Sequence, residues 1–185
     1  ENIKQRFAIR KHARKDKKPI ENESKLENGV WLNVRETASN DGHMITVITD
    51  VTERKNSAEM QTRLSSAIDS IPSHVMFWDK DENLIKANEL AINENLRDGI
   101  KLNEGMSYSE FLASQFAKKL YSVPKDFSVE KFVEKRLKER AELTSKSTKV
   151  RYRNGKTVIR TENKLDDGGI LTILNDVTEL EAKEV

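Results

Sequence analysis

A gapless internal repeat constrains this chain more than any other feature of its sequence. Residues 28–55, NGVWLNVRETASNDGHMITVITDVTERK, align with residues 154–181, NGKTVIRTENKLDDGGILTILNDVTELE, at an offset of 126 positions. Ten of the 28 aligned positions are identical, whereas chance matching at one fixed offset gives about one or two. The same offset places Arg10 and Arg14 on Arg136 and Arg140.

An offset of this size is the length of a domain and is far longer than the unit of a solenoid. We therefore expect two copies of one domain. The first copy lacks the part equivalent to residues 57–126, so residues 1–55 are predicted to be the C-terminal half of a domain. Residues 56–71 are then a linker helix, and residues 72–185 are a complete domain ending in the start of an output helix. Because the chain opens on Glu1 within a predicted helix, we expect it to be a piece of a longer protein.

Turn signals divide the end of each copy into three strands. Asn154-Gly155 lies between two β-rich segments, a pattern typical of a hairpin with a type I′ turn. Asp167-Gly168-Gly169 separates the second strand from a third, which predicts strands near 147–153, 156–164 and 169–176. Asn28-Gly29 and Asp41-Gly42 repeat the arrangement in the first copy.

The earlier part of the full copy predicts two short strands and then helices. HVMFWDKDENLIKAN indicates strand, turn and strand, and helical patterns follow near 89–97, 108–120 and 126–143. In the last helix, residues at spacings of three and four form one side that can pack: Phe132, Val133, Arg136, Leu137, Arg140 and Ala141. The order of elements predicts an α+β domain with a five-stranded antiparallel sheet and helices on one face.

The linker helix carries an apolar pattern of its own. Met60, Leu64, Ala67 and Ile71 follow 4-3-4 spacing, which is the seam of a short coiled coil and predicts a homodimer. An amphipathic helix that packs on its own domain gives the same pattern. The two interpretations are compatible, because one helix can do both.

Composition excludes several classes of function. The 33 basic and 31 acidic residues nearly balance, which gives no reason to expect nucleic acid, and the basic run from Arg10 to Lys18 is interpreted as a solvated helix end. The chain has no cysteine, which excludes disulfides and thiol catalysis and fits a cytoplasmic location. It also has no apolar stretch near the ~20 residues of a membrane span, so no direct membrane insertion is expected. No catalytic motif is present, and the chain is predicted not to be an enzyme.

The strand order and the repeated Asp-Val-Thr-Glu sequence resemble the PAS family. Asp50-Val51-Thr52-Glu53 and Asp176-Val177-Thr178-Glu179 look like the sequence that closes many bacterial PAS domains. IDSIPSHVMFWDKDENLIKAN is similar to the PAS opening, with a short second strand ending in Asn. The resemblance implies a sensor or signal-relay module of a bacterial signalling protein, acting on a downstream effector. The alternatives are a ligand-free dimerisation or spacer module, or a regulatory fragment of a histidine kinase or nucleotide cyclase.

The repeated motif also has a physical logic. Asp50 and Asp176 are predicted to cap the following helix, and Glu53 and Glu179 to complete a capping box three residues later. Such caps would join the last strand of each copy to the start of a helix. The resemblance implies that this junction relays the signal.

No cofactor or metal is predicted. The histidines, His12, His43 and His74, have no ligand spacing. Haem-binding PAS domains use a histidine on the helix before the third strand, and residues 108–143 contain none. The resemblance does imply a candidate small-molecule pocket between sheet and helices, or a small filled core at the same positions: Val75, Phe77, Leu90, Leu112, Phe116, Ile159, Thr172 and Leu174.

Overall fold

The computed structural model describes residues 19–124 and 127–183, which form two compact units that divide between Ser65 and Ser66. The first unit holds β1 (Ile20–Lys25), β2 (Trp31–Ala38), β3 (Met44–Asp50) and most of α1 (Thr52–Asp69). The second unit begins with β4 (His74–Trp78), β5 (Leu84–Ala87), α2 (Glu89–Arg97), α3 (Tyr108–Ala117) and α4 (Val129–Ala141). It ends with β6 (Ser145–Arg151), β7 (Thr157–Lys164), β8 (Ile170–Asp176) and α5 (Thr178–Lys183).

The second unit contains the predicted five-stranded antiparallel sheet, which is confirmed with the strand order β5-β4-β8-β7-β6. Helices α3 and α4 are shorter than predicted. Ser107 and Ser128 cap their N-termini, and α3 ends just before Lys119, which has a positive φ of 56°. A residue in that conformation cannot continue a right-handed helix.

The core of the second unit lies between one face of this sheet and the helices. Met76 and Trp78 of β4 are 1% and 0% exposed, and they pack with Phe111 and Leu112 of α3. The rings of Trp78 and Tyr108 meet edge to face, with centroids 5.0 Å apart. This geometry is favourable for aromatic pairs and fixes α3 against the sheet.

The three strands of the first unit have the same register as the last three strands of the second. Lys25 pairs with Trp31 and Leu32 with Asp50, while Arg151 pairs with Thr157 and Val158 with Asp176. Each pair is displaced by the 126 positions of the sequence repeat. The sequence similarity between residues 28–55 and 154–181 therefore corresponds to a similarity of structure.

The hairpin turns differ in type from the prediction. Gly29 and Gly155 have φ values of +90° and +89°, but Asn28 and Asn154 do not have positive φ. The amide of Gly155 donates to the carbonyl of Tyr152, and that of Tyr152 donates to the carbonyl of Lys156. This is a three-residue loop with a left-handed glycine at its end, so glycine is needed at one position and not at two.

The first unit buries much less apolar surface than the second. Met44, Ile45, Val47 and Ile48 of β3 are 37–61% exposed. At the equivalent positions of β8, Ile170 and Leu174 are only 4% and 8% exposed, because they belong to the core that packs against the helices. The predicted helix around Arg10 and Arg14 lies outside the described residues.

The linker helix ends earlier than the predicted seam. Helix α1 stops at Asp69, so Ile71 lies beyond it and only Met60, Leu64 and Ala67 belong to the helix. The helix has no buried residue, and Met60 and Leu64 are each 56% exposed.

Among the described helices, none combines the length and the apolar character that crossing a membrane requires.

Candidate functional site

The repeated motif forms a strand-to-helix junction with the same hydrogen bonds in each copy. In the second unit, the Asp176 carboxylate accepts from the amide of Thr178 at 3.0 Å, and the Thr178 hydroxyl accepts from the amide of Thr157 at 2.9 Å. We call Thr157 and residues 176–178 the relay junction. In the first unit, Thr52 accepts from the amide of Trp31 at 2.8 Å, and Asp50 accepts from the amide of Thr52 at 2.9 Å.

The threonine, rather than the glutamate, completes this junction. The predicted capping box is not formed, since within the described residues the side chains of Glu53 and Glu179 make no hydrogen bond to the start of their helices. The helices begin at Thr52 and Thr178, so each aspartate precedes the helix by two residues and closes a local turn instead. The sequence does contain a sign of this role, because Thr52 and Thr178 are identical residues at equivalent positions of the two copies.

The electrostatics of the two aspartates follow from these bonds. The hydrogen bonds from the Thr52 side chain and amide lower the pKa of Asp50. Partial burial acts to raise the pKa of Asp176, but hydrogen bonds from Thr178 and the charge of Lys156 outweigh it and lower the pKa. Both carboxylates are thus held ionised, which is the form that accepts hydrogen bonds best.

A second tie holds the first turn of each helix to the first strand of its hairpin. Glu23 on β1 forms ion pairs with Arg54 and Lys55 of α1. At the offset of 126, Glu23 and Lys55 correspond to Lys149 and Glu181, which also form an ion pair, with the charges exchanged. The contact is therefore kept in both copies although the charges are reversed.

A buried charge cluster fills the interior of the second unit between α4 and the sheet. Glu162 on β7 accepts from Arg140 at 2.6 Å and from Arg136 at 2.9 Å. Arg140 also donates to Glu82 at 2.9 Å, and its guanidinium lies 3.8 Å from the centroid of the Tyr108 ring. The Arg140 side chain is 0% exposed. We call Glu82, Tyr108, Arg136, Arg140 and Glu162 the charge cluster.

Burial and charge act in opposite directions on these groups. Burial acts to raise the pKa of Glu162, but the attraction of Arg136, Arg160 and Arg140 is stronger and lowers it. Burial likewise acts to lower the pKa of Arg140, and its bonds to Glu82 and Glu162 raise it instead. Glu162, Arg136 and Arg140 are therefore charged at neutral pH.

A small cavity of about 40 Å³ lies between β4, α2 and the start of β7. Its polar lining includes His74, Glu94, Gln115, Tyr152 and Lys156. Such a volume holds a few water-sized molecules, whereas pockets for drug-sized ligands measure about 300 Å³ or more. Sequence reasoning missed His74 and Lys156 because nothing in their spacing along the chain links them.

The predicted pocket residues do not come together around this cavity. Leu174 lines it, and Leu112 and Thr172 are buried in the adjoining core, where Arg140 donates to the Thr172 hydroxyl at 3.3 Å. Leu90 and Phe116 are half-buried. Val75, Phe77 and Ile159 do not line the cavity. Their neighbours Met76, Trp78 and Val158 belong to the core cluster, and Val75 is also buried at 2% exposure.

No metal centre is formed by the residues that the structure describes, since they bring together no group of three metal-binding side chains. The histidines in this part of the chain lie apart. His43 is exposed on the first unit, and His74 contacts Glu94 at 2.9 Å.

Comparisons with known proteins identify the family to which this architecture is similar. A family model described as the PAS fold matches residues 68–185. No curated protein sequence matches the chain.

Among solved structures, the sensor region of a sensor histidine kinase is 19% identical, with a TM-score of 0.43 over 58% of this chain. The chain spans 40% of that protein's length. A PAS domain of an HTR-like protein from Haloarcula marismortui is 17% identical, with a TM-score of 0.40, and the match covers 67% of this chain and 97% of that one. A domain of a sensory box sensor histidine kinase/response regulator from Geobacter sulfurreducens is also 17% identical, with a TM-score of 0.38 and coverages of 63% and 94%.

The family match covers well over half of the chain, includes the five-stranded sheet and runs to the relay junction and α5. It indicates no catalytic family. The chain therefore belongs to the PAS fold family.

Proposed function

We propose that the chain is a non-catalytic sensory and signal-relay module of a cytoplasmic signal-transduction protein. In this proposal, residues 72–185 receive a ligand or a conformational input and pass it through α5 to a downstream effector. The observation that carries the proposal is the threonine hydroxyl that joins a strand amide to a helix start in both copies. A small cavity favours a conformational input or a very small ligand.

Residues 1–55 are proposed to be the C-terminal half of a second PAS domain, and residues 56–71 to be the linker. Two observations support this arrangement. The three strands of the first unit repeat the register of β6, β7 and β8, and the turn glycines repeat the same backbone conformation. Helix α1 then follows β3 in the same way that α5, the start of the proposed output helix, follows β8.

The relay junction couples strand and helix because its bonds are shared between them. The amide of Thr157 belongs to β7 and the hydroxyl of Thr178 belongs to α5, while Val177 donates from its amide to the carbonyl of Thr157 at 2.9 Å. A shift of β7 relative to β8 cannot keep these bonds unless the start of α5 moves as well. Motion of the sheet is thereby converted into motion of the helix.

Thr178→Val is expected to loosen α5 without unfolding the domain. Valine keeps the shape of threonine but leaves the amide of Thr157 without its acceptor, which costs about 1–2 kcal/mol. Because the chain has no cysteine, Leu180→Cys gives a single site for a spin label on an exposed position of α5. Electron paramagnetic resonance should show the label becoming more mobile in the valine variant.

Thr178→Ser is the matched control, since serine keeps the hydroxyl and should keep the label restrained. Equal mobility of the label in the wild-type and valine proteins would mean that the hydroxyl does not tie α5 to the sheet. The proposed relay would then lose its structural basis.

A dimerisation or spacer module is the second candidate, and the exposed apolar residues of α1 favour it. Met60 and Leu64 lie one turn apart and are each more than half exposed. A second copy of the same helix would cover both side chains along a coiled-coil seam. This candidate is compatible with a parent protein that is a histidine kinase or a nucleotide cyclase.

Leu64→Lys is expected to weaken the homodimer by about tenfold or more, because burial of a leucine in a seam contributes about 1.5–3 kcal/mol and lysine adds like charges. Sedimentation equilibrium across a concentration series measures the association. Thr62→Lys adds the same charge on the side of α1 away from the seam and should leave the dimer intact. A wild-type chain that stays monomeric throughout the series would rule out this module.

A further inference from the structure

One oxygen of Glu94 holds two donors at the edge of the small cavity. The Glu94 carboxylate lies 2.9 Å from the ring Nε2 of His74 and 2.7 Å from Nζ of Lys156, and both distances are to Oε2. The same Nζ lies 3.4 Å from Oδ2 of Asp176 in the relay junction. A continuous chain of polar contacts therefore leads from His74 on β4 to the start of α5.

These side chains are shielded to different degrees. The His74 side chain is 14% exposed and is fixed on a strand, whereas the Lys156 side chain is 27% exposed and is carried by a flexible four-carbon stem. Lys156 follows the turn at Asn154-Gly155 and leads into β7. Of the groups in this chain of contacts, Lys156 is thus the one that can move between two partners.

The charged and titratable groups around His74 come from four elements or their ends. Helix α2 contributes two acids, the β6–β7 hairpin contributes a phenol and an ammonium group, and the end of β8 contributes one acid. These groups are Glu94, Asp98, Tyr152, Lys156 and Asp176.

We propose that His74 is a proton switch that decides which carboxylate holds Lys156: Glu94 while His74 is neutral, and Asp176 once His74 is protonated. The inference deepens the proposed function and rests on it, because Asp176 belongs to the relay junction. The input in this case is the proton, and the device that responds is the shared carboxylate of Glu94.

Charge repulsion gives the switch its direction. A neutral imidazole donates through Nε2–H, so Glu94 carries one hydrogen bond and one ion pair with a single cation. After protonation, two cations share one carboxylate oxygen and repel each other at short range. Lys156 has a second carboxylate within reach at Asp176, and in the part of the chain described by the structure the Nδ1 of His74 has no other hydrogen-bond partner. Lys156 is therefore the cation that leaves Glu94.

The direction of the pKa shifts fits this sequence of events. Burial lowers the pKa of His74 below its ordinary value of 6.5, and Lys156 lowers it further, while Glu94 opposes the shift. Burial acts to raise the pKa of Glu94, but the hydrogen bonds and charges of Lys156 and His74 together outweigh it and lower the pKa. Glu94 consequently stays ionised over the range in which His74 titrates. Because folding lowers the pKa of His74, its neutral form stabilises the domain, and that stabilisation is lost as pH falls through the folded pKa.

The test is a pH titration of the full chain by NMR, following the His74 ring and the amide of Thr178. The proposal predicts that the Thr178 amide shows an inflection at the pH where the His74 ring titrates, below 6.5. The carboxyl of Asp176 has its pKa below the ordinary 3.8, so its own titration is resolved from this inflection.

Two variants make the test decisive. Lys156→Gln should move the His74 inflection to higher pH, because a neighbouring cation is removed, and should abolish the inflection at Thr178. His74→Gln should abolish the Thr178 inflection directly, while His43→Gln, at the exposed histidine of the first unit, should leave it unchanged.

A Thr178 amide that stays flat while His74 titrates overturns the proposal, as does an inflection that survives in His74→Gln. These failures differ from failure of the proposed function. A flat Thr178 amide in a protein whose label at position 180 is loosened by Thr178→Val leaves the relay standing without the proton switch. If the mobility of the label is unchanged in Thr178→Val, the relay itself is rejected, whatever the titration of His74 shows.

Discussion

Replacing Glu162 with glutamine is expected to lower the free energy of unfolding by about 3–5 kcal/mol, since removing one partner of a buried ion pair leaves the other charges uncompensated. Glu162 is 3% exposed and receives Arg136 and Arg140. Arg160 lies 3.2 Å from the same carboxylate. Glutamine keeps the size and one acceptor of the side chain but turns the other oxygen into a donor that faces an arginine, so the loss combines the missing charge with a missing acceptor. Urea unfolding followed by circular dichroism gives the number.

The pH dependence provides a second readout for the same variant. Glu162 has a pKa below its ordinary value of 4.5 in the folded protein, so its contribution to stability is present above that value and is lost as pH falls through the folded pKa. Glu162→Gln should therefore flatten the loss of stability on the acid side. Glu104→Gln, at an exposed acid, is the control and should change neither quantity. A cost below about 1 kcal/mol for Glu162→Gln, typical of surface pairs, would show that the charge cluster is solvated.

Only part of the charge cluster could be predicted from the sequence. The spacing of Arg136 and Arg140 placed them on the packing side of α4, and Glu36 and Glu162 are identical in the repeat. Nothing along the chain joins these two facts, because the ion pairs connect a helix to a strand 22 to 26 residues later. The register of β7 decides which of its side chains point inward, and the sequence does not state that register.

For the same reason, the sequence of β7 does not show which of its side chains face the core. Its sequence TVIRTENK has no clean alternation, and two neighbouring residues, Thr157 and Val158, are both buried. The inward positions further along hold Arg160 and Glu162, so polar residues face the core and Ile159 faces away from it. A rule that places apolar residues inside fails on a strand that buries charges.

The turns were easier to predict because their chemistry is local. Gly29, Gly42, Gly155 and Gly168 all have φ between +87° and +90°, as an Asn-Gly or Asp-Gly pair predicts. The turn type differed from the prediction, because each loop has three residues with one left-handed glycine instead of two residues in a type I′ turn. The repeated hairpins, the five strands and the helices could therefore be predicted from the sequence, whereas the cavity and the charge cluster could not, since both depend on contacts between distant segments.

Asn88→Ala is expected to lower the free energy of unfolding by about 4 kcal/mol, the second large effect. Asn88 is 0% exposed and uses both ends of its amide. Its oxygen accepts from the amides of Val75 at 3.0 Å and Ala91 at 3.1 Å, and its nitrogen donates to the carbonyl of Ser73 at 2.9 Å. Alanine removes the cap of α2, worth about 1 kcal/mol, and leaves buried groups unpaired at about 1–3 kcal/mol each.

Ser107→Ala is the matched control, since it removes only the exposed hydrogen bond from the amide of Glu110 to the Ser107 hydroxyl and should cost about 1 kcal/mol. Asn88→Asp separates the two ends of the amide, because aspartate keeps the acceptors and loses the donor. Asn88 also lies 3.3 Å from the carbonyl of Ile68 near the end of α1. Hydrogen exchange should therefore show the last turn of α1 opening more often in Asn88→Ala. If instead both variants cost no more than Ser107→Ala, Asn88 is an ordinary cap, and the end of the linker helix is held to the domain by other contacts.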